Sequence, residues 1–397
     1  MIQVSEAHKL IQDSTSIAQK EIVSVAISNK RILAEDIFAT RNQPPFNRVA
    51  MDGIAIDSKS VELEFNIEGV QAAGAKQLSL SSSENCIEVM TGATLPLGCD
   101  CVIPYEKTTI DQDKKTAKIE KSSIALMKNI HSEASDYKEG EIVLKKGTMI
   151  TSPVCAIIAS QGKSEVSVYK TPKVIIISTG SELVELDKPI EPYQIYMSNS
   201  YAIESELKSY GLTDIARLHI PDNPEETQRQ IKHALENYDI LILTGGVSRG
   251  KFDYIPGTLD KLGVKKLFHK IKQKPGKPMW YGSFENKQIF ALPGNPVSCL
   301  VCLRRYVIPA LDQSLGKNVT PHYGELQSTI EFKRDFTLFA SVSATSFTDG
   351  RLLLFPISSN GSGDFYAIGQ STGFIELPPE PKIFKPGEIF QYYSWQT

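Results

Sequence analysis

Three short apolar segments, each ending in a turn of small residues, constrain the fold of this chain more than any other feature. They are 173-KVIIIS-178, 240-ILILT-244 and 288-QIFAL-292, and they run directly into TGSEL, GGVSRGKFD and PGNPVS. A strand that is apolar on both faces has to be covered on both faces, which is typical of parallel sheets rather than of two-faced antiparallel sheets. We therefore expect the three segments to be neighbouring strands of a covered sheet.

Helical patterns lie between these strands. One helix is predicted over about 200–210, with Ile203, Leu207 and Tyr210 on its apolar face and Gly211 at its stop. A second helix is predicted to begin at Asn223, since an Asn cap followed by Pro is a common helix start. This alternation of strands and helices predicts an α/β layer with helices on both faces of a parallel sheet.

The flanking regions have a different texture. Residues 1–40 are predicted to be mostly helical, and the Pro-rich stretch 41-RNQPPFNRVAMDG-53 is a plausible domain boundary. From about 54 to 140 the chain is rich in Gly and Ser with short alternating apolar runs, which predicts a small β domain. Residues 320–397 contain short strands separated by turns and predict a small β-barrel or sandwich.

Composition limits the classes of protein. The chain has 397 residues, 41% of them hydrophobic and 22% charged, and a formal net charge of -3, as in ordinary soluble multidomain proteins. This charge gives no indication of nucleic-acid binding, and no apolar run approaches the ~20 residues of a membrane helix. The six cysteines form no zinc-binding pattern, and Cys299 and Cys302, which share an apolar run, are expected to be reduced core thiols. Because neither a secretory signal nor a membrane segment is recognised, we expect a cytoplasmic protein.

The three turns predict a ligand site. Strands of a parallel sheet end at one edge, where ligands bind, and glycine lets the backbone approach a ligand closely. Backbone amides at helix starts favour anions, so a phosphate-bearing ligand is expected. The alternative is that strand-to-helix turns favour Gly, Ser and Pro for structural reasons alone. The sequence is neither a P-loop nor a dinucleotide fingerprint.

Charged residues near these turns indicate the chemistry. Lys272, Lys274 and Lys277 flank a Pro-Gly turn and are candidates to bind phosphate, although a solvated turn is an equally good explanation. Carboxylates also occur in turns, where each alone is more often a turn former: Asp52, Asp136, Glu182, Asp222 and Asp253. Together these charges favour phosphoryl or nucleotidyl chemistry assisted by a metal ion.

A set of motifs completes the picture and resembles one family along essentially the whole chain. The motifs are NRVAMDGIAI (47–56), MTGATLPLGCDCVIPYE (90–106), ISTGSELVE (177–185), QIYMSNSYAI (194–203), TGGVSRGKFDYI (244–255), KPGKP (274–278), ALPGNPVSC (291–299), and more weakly NGSGDF (360–365) and STGFIELP (371–378). In this order they resemble the molybdopterin molybdenumtransferases, the MoeA-type enzymes related to the E domain of gephyrin.

The resemblance implies a reaction and an architecture. Adenylylated molybdopterin and molybdate would be the substrates; molybdate is inserted at the dithiolene and AMP leaves, with Mg²⁺ assisting. The fold would be a multidomain α/β plus β protein: an N-terminal helical domain (1–45 plus 141–170), a β-rich insert (46–140), a central parallel α/β domain like that of MogA (171–316) and a C-terminal β-barrel (320–397). A homodimer is implied, with further partners in the molybdopterin adenylyltransferase and molybdoenzyme apoproteins.

Site residues follow by matching motifs. The resemblance implies catalytic roles for Asp52, Thr91, Asp136, Glu182, Asp222 and Asp253, of which Glu182, Asp222 and Asp253 would also bind the metal. It implies substrate-binding roles for Thr179, Gly180, Ser198, Asn199, Gly245, Gly246, Ser248, Lys272, Lys274, Lys277, Pro293, Gly294, Asn295 and Pro296. Asp52, Thr91 and Asp136 would face the others across a dimer interface.

Three departures from the family pattern stand in these motifs. Ser181 replaces an acid of GDEL, Lys251 replaces an acid in the GGVS motif, and 131-HSEASD-136 replaces the family's R..GED. The loss of two acids leaves open a non-catalytic molybdopterin-binding or scaffolding protein of the same fold. A molybdopterin adenylyltransferase is a further alternative, against which the extra β domains argue.

Overall fold

The computed structural model describes residues 1–247, 254–358 and 364–396. These residues form two compact units. The larger unit comprises Met1–Ala34, Gly147–Thr151 and Glu165–Thr397, and the smaller unit comprises Glu35–Lys146 and Ser152–Ser164.

The helices are, in chain order, α1 Val4–Ser14, α2 Ser152–Ser160, α3 Asn199–Tyr210, α4 Pro224–Asn237, α5 Ile255–Lys261, α6 Pro296–Cys302, α7 Ile308–Ser314 and α8 Phe365–Gln370. A π-helical turn, Leu303–Val307, joins α6 to α7, and short 3-10 turns occur at Val25–Ile27, Tyr105–Lys107 and Lys121–Ser123.

The strands are β1 Lys20–Ser24, β2 Ile37–Phe38, β3 Arg48–Val49, β4 Gly53–Ile56, β5 Glu64–Gln71, β6 Asn85–Val89, β7 Cys101–Pro104, β8 Thr108–Asp111, β9 Thr116–Ile119, β10 Ile130–His131, β11 Ile142–Leu144, β12 Glu165–Tyr169, β13 Val174–Thr179, β14 Leu183–Val184, β15 Ile195–Tyr196, β16 Ile215–Ile220, β17 Ile240–Thr244, β18 Lys265–His269, β19 Gln273–Lys274, β20 Trp280–Phe284, β21 Lys287–Leu292, β22 His322–Leu326, β23 Ile330–Glu331, β24 Thr337–Ser346, β25 Leu352–Pro356, β26 Gly373–Leu377, β27 Ile383–Phe384 and β28 Ile389–Ser394.

The centre of the larger unit is a sheet in the order β16-β13-β17-β21-β20-β18. The first four strands are parallel, and β20 and β18 add antiparallel pairings at one side. Alternate residues of β13 enter different cores: Ile176 packs in the core that contains α3, and Ile177 in the core that contains α4. This confirms the predicted parallel sheet with helices on both faces. The strand is apolar at successive residues because each of its two faces packs against a helical layer.

The predicted helix signals are confirmed. Gly211 ends α3 in the left-handed region at φ 110°, where a side chain would be strained. The Asn223 side chain accepts a hydrogen bond from the backbone N–H of Glu226, and Pro224 is the first residue of α4. The thiols of Cys299 and Cys302 are buried in the core, as expected, and Trp280 is buried as well.

The C-terminal strands form a closed barrel. The order β24-β25-β22-β28-β26 is closed by a further pairing of β24 with β26. Leu326, Val342, Leu354 and Ile375 fill its interior. Of the barrel and the sandwich left open by the sequence, the structure has the barrel.

The smaller unit contains a sheet in the order β7-β4-β6-β5-β9-β8. Each face of this sheet carries its own apolar core, one around Ala55 and Val102 and the other around Ile54 and Phe65. The region predicted to be a small β domain is thus built largely of strands, while its bounds of 54–140 stay a prediction.

The prediction that residues 1–40 are mostly helical is wrong beyond α1. After Ser14 the chain forms strand β1, which pairs antiparallel with β12 across a long sequence separation. Exposure alternates along Lys20–Ser24, as expected for a strand paired on one side, so this segment is a strand and not part of a helix.

Of the helices that the structure describes, none combines the length and apolarity needed to cross a membrane. The four domain boundaries drawn from the sequence stay a prediction.

Candidate functional site

The carboxyl ends of the parallel strands lie at one edge of the central sheet. The register pairs Thr179 with Ile220, and Thr244 pairs with both Ser178 and Leu292. The turns that follow β13, β16, β17 and β21 therefore leave the sheet side by side. This is the edge at which ligands bind in open α/β sheets.

Two glycines let the β17 turn lie directly on the end of β13. Gly245 and Gly246 have φ of 91° and 64°, which side-chain-bearing residues rarely adopt. A Cβ on Gly245 would lie 2.5 Å from the Thr179 carbonyl oxygen, and one on Gly246 would lie 2.8 Å from Thr179 Oγ1. The backbone of Gly245 and Gly246 thus lies directly against Thr179, and residues with a Cβ would not fit there.

A cavity of about 600 Å³ opens at this edge. It is lined by Thr179, Gly180, Glu182, Asp222, Gly245, Gly246, Val247, Gln273, Lys274, Pro275, Gly276, Lys277, Pro278, Pro293, Gly294, Asn295, Ser298, Arg334 and Phe336. Its volume is in the range of sites that hold small molecules and cofactors.

The structure brings most of the predicted ligand-binding residues into this lining. They are Thr179, Gly180, Glu182, Asp222, Gly245, Gly246, Lys274, Lys277, Pro293, Gly294 and Asn295. The three turns identified in the sequence therefore share one cavity. The roles of these residues stay predictions.

Four predicted substrate-binding residues lie outside the lining. Asn199 instead holds the turns together, since its Nδ2 donates to Thr244 Oγ1 at 2.9 Å and to the Gly294 carbonyl at 2.8 Å. Ser198 is the residue before α3, and Pro296 is the first residue of α6. Lys272 Nζ lies 3.2 Å from a carboxylate oxygen of Asp335.

Ser248 and Asp253, also predicted for the site, lie outside the residues that the structure describes, as does Lys251.

Two carboxylates line the cavity. Asp222 Oδ2 accepts from the backbone N–H of Ser181 at 3.1 Å, and the backbone N–H of Asp222 donates to Ser181 Oγ at 3.1 Å. The Glu182 carboxylate lies against Gly180, where a Cβ would collide with it. Mg²⁺ is usually bound by one or two carboxylates together with waters and phosphate oxygens, so these two side chains could hold it if a phosphate-bearing ligand were bound. Among the described residues no three His, Cys, Asp or Glu side chains converge on a metal position by themselves.

Cations outnumber these carboxylates. Lys274, Lys277 and Arg334 line the cavity with Glu182 and Asp222, three positive charges against two negative ones among the described residues. Lys277 Nζ also lies 5.6 Å from the centre of the Phe336 ring. The cavity therefore favours an anion, although the whole chain carries a net charge of -3.

Two buried polar atoms of the lining have no hydrogen-bond partner among the described residues. They are Thr179 Oγ1 and Asn295 Oδ1. Buried polar atoms are nearly always paired, since an unpaired one costs about 1–3 kcal/mol. Both atoms are shielded from solvent, so they do not open directly into the cavity.

Sequence reasoning missed the lining residues Gln273, Arg334 and Phe336. Arg334 and Phe336 precede the barrel strand β24, which pairs in parallel with β19 at the lysine turn. No local motif shows that pairing across some sixty residues. The only sequence signal is a cation and an aromatic residue close together in 333-KRDF-336.

In the smaller unit, Asp52 and Thr91 are in direct contact. Asp52 Oδ1 accepts from the Thr91 backbone N–H at 2.6 Å and from Thr91 Oγ1 at 2.7 Å. These two hydrogen bonds, the backbone one first, lower the pKa of the Asp52 carboxyl below its usual value. Asp52 is thus held as a carboxylate.

Asp136 belongs to a chain of three charged or polar groups in the same unit. Asp136 Oδ1 lies 2.9 Å from His131 Nε2, and Arg48 Nη2 lies 2.9 Å from His131 Nδ1. A guanidinium can only donate, so Nδ1 accepts and the proton is on Nε2, which donates to Asp136. His131 therefore links Arg48 to the Asp136 carboxylate through two hydrogen bonds.

Comparison with protein families gives three matches along the chain. Residues 2–162 match the MoeA N-terminal region (domains I and II), residues 175–313 match a probable molybdopterin-binding domain, and residues 323–395 match the MoeA C-terminal region (domain IV).

Comparison with individual proteins gives full-length relatives. The chain is 38% identical over 400 residues to a molybdopterin molybdenumtransferase of Synechocystis, covering 100% of both chains. It is 31% identical to one of Bacillus subtilis, covering 98% of this chain and 93% of the relative. Among solved structures, a molybdopterin biosynthesis MoeA protein from Pyrococcus horikoshii superposes with a TM-score of 0.82 at 26% identity, covering 99% of this chain and 100% of the other.

Proposed function

Because the chain belongs to the MoeA family of molybdopterin molybdenumtransferases, we propose that it is such an enzyme in molybdenum cofactor biosynthesis. Its substrates are adenylylated molybdopterin and molybdate; molybdate is inserted at the dithiolene and AMP leaves. The observation that carries this proposal is the cationic cavity at the carboxyl edge of the sheet.

The cations of the cavity bind the anionic parts of the substrates. Lys274, Lys277 and Arg334 supply the positive charge for the phosphates and the molybdate oxygens. The glycine turns add backbone surface that a phosphate can approach without side-chain interference. Catalysis at such a site depends on positioning and on charge stabilisation as AMP departs.

Mg²⁺ would be held by Glu182 and Asp222 together with phosphate oxygens, and we include Asp253 from the sequence as a third carboxylate. When bound, the ion supplies charge neutralisation on the phosphates. Ser181 in place of an acid keeps the loop hydrogen-bonded to Asp222, so we expect weaker Mg²⁺ dependence rather than a misfolded loop.

We further infer a homodimer in which the smaller unit of a second subunit supplies Asp52, Thr91 and Asp136 to the cleft. The enzyme that adenylylates molybdopterin and the apoproteins that receive the cofactor are the expected partners. A cytoplasmic location is supported by six free cysteines, five of them buried.

The test is single-turnover release of AMP from adenylylated molybdopterin, with and without molybdate and Mg²⁺. At a subsaturating substrate concentration we expect molybdate-dependent release that falls about 100-fold in Lys274→Met, because the variant loses a charged group that binds the anionic substrate. Lys173→Met is the matched control, because Lys173 precedes β13 at the opposite edge of the sheet and lies 3.9 Å from Asp214. The proposal is contradicted if AMP release does not depend on molybdate, or if it falls equally in Lys274→Met and Lys173→Met.

A further inference from the structure

A polar cluster is buried beneath the lysine turn of the cavity. Gln273 is 1% exposed, and Cys302 and Tyr306 are fully buried. Burying a polar side chain is costly unless it is hydrogen-bonded, so such a cluster in the core requires a reason.

Gln273 connects the cluster to the turn. Tyr306 Oη donates to Gln273 Oε1, and Gln273 Nε2 donates to the Pro275 carbonyl at 3.1 Å and towards Cys302 Sγ at 3.4 Å. Cys302 Sγ in turn lies 3.8 Å from the Gly276 carbonyl oxygen. The two carbonyls between Lys274 and Lys277 are therefore both fixed from below.

The fit beneath the turn leaves no spare room. Gly276 has φ of 91°, and a Cβ there would lie 2.5 Å from Gln273 Nε2 and 2.6 Å from Cys302 Sγ. The Gln273 and Cys302 side chains thus pack directly against the backbone of Gly276. Any shift of Gln273 has to move the turn.

The π-helical turn explains how Tyr306 reaches this position. Leu303–Val307 inserts a wider turn between α6 and α7, and such turns often occur near functional sites. The neighbouring Arg305 points to the barrel, where its Nε donates to Glu376 Oε2 at 2.7 Å. Consecutive residues of one wide turn thus anchor the barrel and the lysine turn.

Tyr306 keeps its proton under all ordinary conditions. Burial raises the pKa of its hydroxyl well above the usual value. The hydroxyl therefore remains a donor to Gln273 Oε1 whatever the pH at which the enzyme works.

We propose that Tyr306 and Gln273 are positioning residues, which hold the turn so that Lys274 and Lys277 present their charges to the anionic substrate. Neither residue has to touch the reacting atoms. This inference rests on the proposed function for the identity of the substrate, but the expected defect is in binding an anion rather than in the reaction itself.

The variant Tyr306→Phe tests the proposal because it removes one hydroxyl and leaves the ring. Tyr281→Phe is the matched control: Tyr281 is also fully buried, and its hydroxyl bonds to Ser14 Oγ at 2.7 Å and to Gln288 Nε2 at 3.2 Å. Both variants lose a buried hydroxyl, so a general loss of stability affects both.

In single-turnover AMP release, we expect Tyr306→Phe to raise the half-saturating concentration about tenfold, the effect of about one hydrogen bond, with the saturated rate unchanged. Tyr281→Phe should leave the half-saturating concentration at the wild-type value. An unchanged half-saturating concentration in Tyr306→Phe, or an equal rise in Tyr281→Phe, overturns the proposal.

Calorimetric titration with ADP separates this inference from the proposed function. If the wild-type protein releases no AMP but binds ADP, the proposed reaction is wrong, and the positioning role is judged from ADP affinity alone. An ADP affinity that is roughly tenfold weaker in Tyr306→Phe, but unchanged in Tyr281→Phe, then supports the positioning role. Equal ADP affinities of Tyr306→Phe and Tyr281→Phe refute it.

Discussion

Replacing Gly245 by Ala is the sharpest test of how the floor of the cavity is built. The substitution adds one methyl group at φ of 91°, 2.5 Å from the Thr179 carbonyl oxygen and 3.1 Å from Thr179 Oγ1. Both the backbone conformation and the neighbouring atoms oppose it. The β17 turn therefore has to move away from the end of β13.

The two costs can be estimated separately. A left-handed conformation costs a residue with a Cβ about 1–2 kcal/mol, and overpacking adds about 1–3 kcal/mol, so we expect a loss of about 2–5 kcal/mol. Gly263→Ala isolates the first cost, because Gly263 has φ of 78° with nothing within 4 Å of a Cβ. Gly257→Ala in α5 has neither cost and should gain about 0.5–1 kcal/mol.

Urea unfolding followed by tryptophan fluorescence measures these differences. Trp280 is buried in the core that contains β17, and a Trp395→Phe background leaves it as the sole tryptophan of the two in the chain. We expect the midpoint to fall most for Gly245→Ala, less for Gly263→Ala, and not for Gly257→Ala. If Gly245→Ala and Gly263→Ala are equally destabilised, the turn does not lie against Thr179 and the reasoning about the cavity floor fails.

Two further predictions concern the smaller unit. Thr91→Val removes one of the two hydrogen bonds that lower the pKa of Asp52, so the pKa of Asp52 rises. If activity needs ionised Asp52, the acid limb of the pH–rate profile moves to higher pH. An acid limb that does not move contradicts this role of Asp52. If the cleft is shared between subunits, activity should return when equal amounts of inactive Asp52→Asn and Lys274→Met proteins are dissociated and reassociated at random. Half of the dimers are then mixed, and one of the two sites in each mixed dimer is intact, so about a quarter of wild-type activity is expected. No recovery after verified subunit exchange would place both residues in one chain's site.

The sequence predicted the sheet edge well because its signals are local. Continuous apolar strands and the glycines after Thr179 and Thr244 each follow from the backbone they occupy, so they are readable one segment at a time. The edge then follows from topology, since parallel strands end together. The same holds for the α4 start, where Asn223 and Pro224 act within one helical turn.

The remaining features depend on pairing between distant segments. Lys20–Ser24 pairs as a strand with the distant segment Glu165–Tyr169, although residues 1–40 were predicted to be mostly helical. Arg334 and Phe336 reach the cavity only because β24 pairs with β19. Such contacts leave no periodicity in the local sequence, so they could be neither predicted nor excluded from it.

Ser181 shows that the shape and the charge of the site can change independently. Its hydroxyl accepts from the Asp222 N–H while its own N–H donates to the Asp222 carboxylate, so the two loops stay joined. An Asp at this position could accept the same hydrogen bond from the Asp222 N–H. It would, however, place a second carboxylate beside that of Asp222, and the repulsion between them would raise the free energy of the loop unless a cation were bound. With Ser181 this second carboxylate is missing, and three cations of the cavity meet only two carboxylates among the described residues. Under the proposed function we therefore expect the site to bind the anionic substrate through Lys274, Lys277 and Arg334 and to depend less on Mg²⁺.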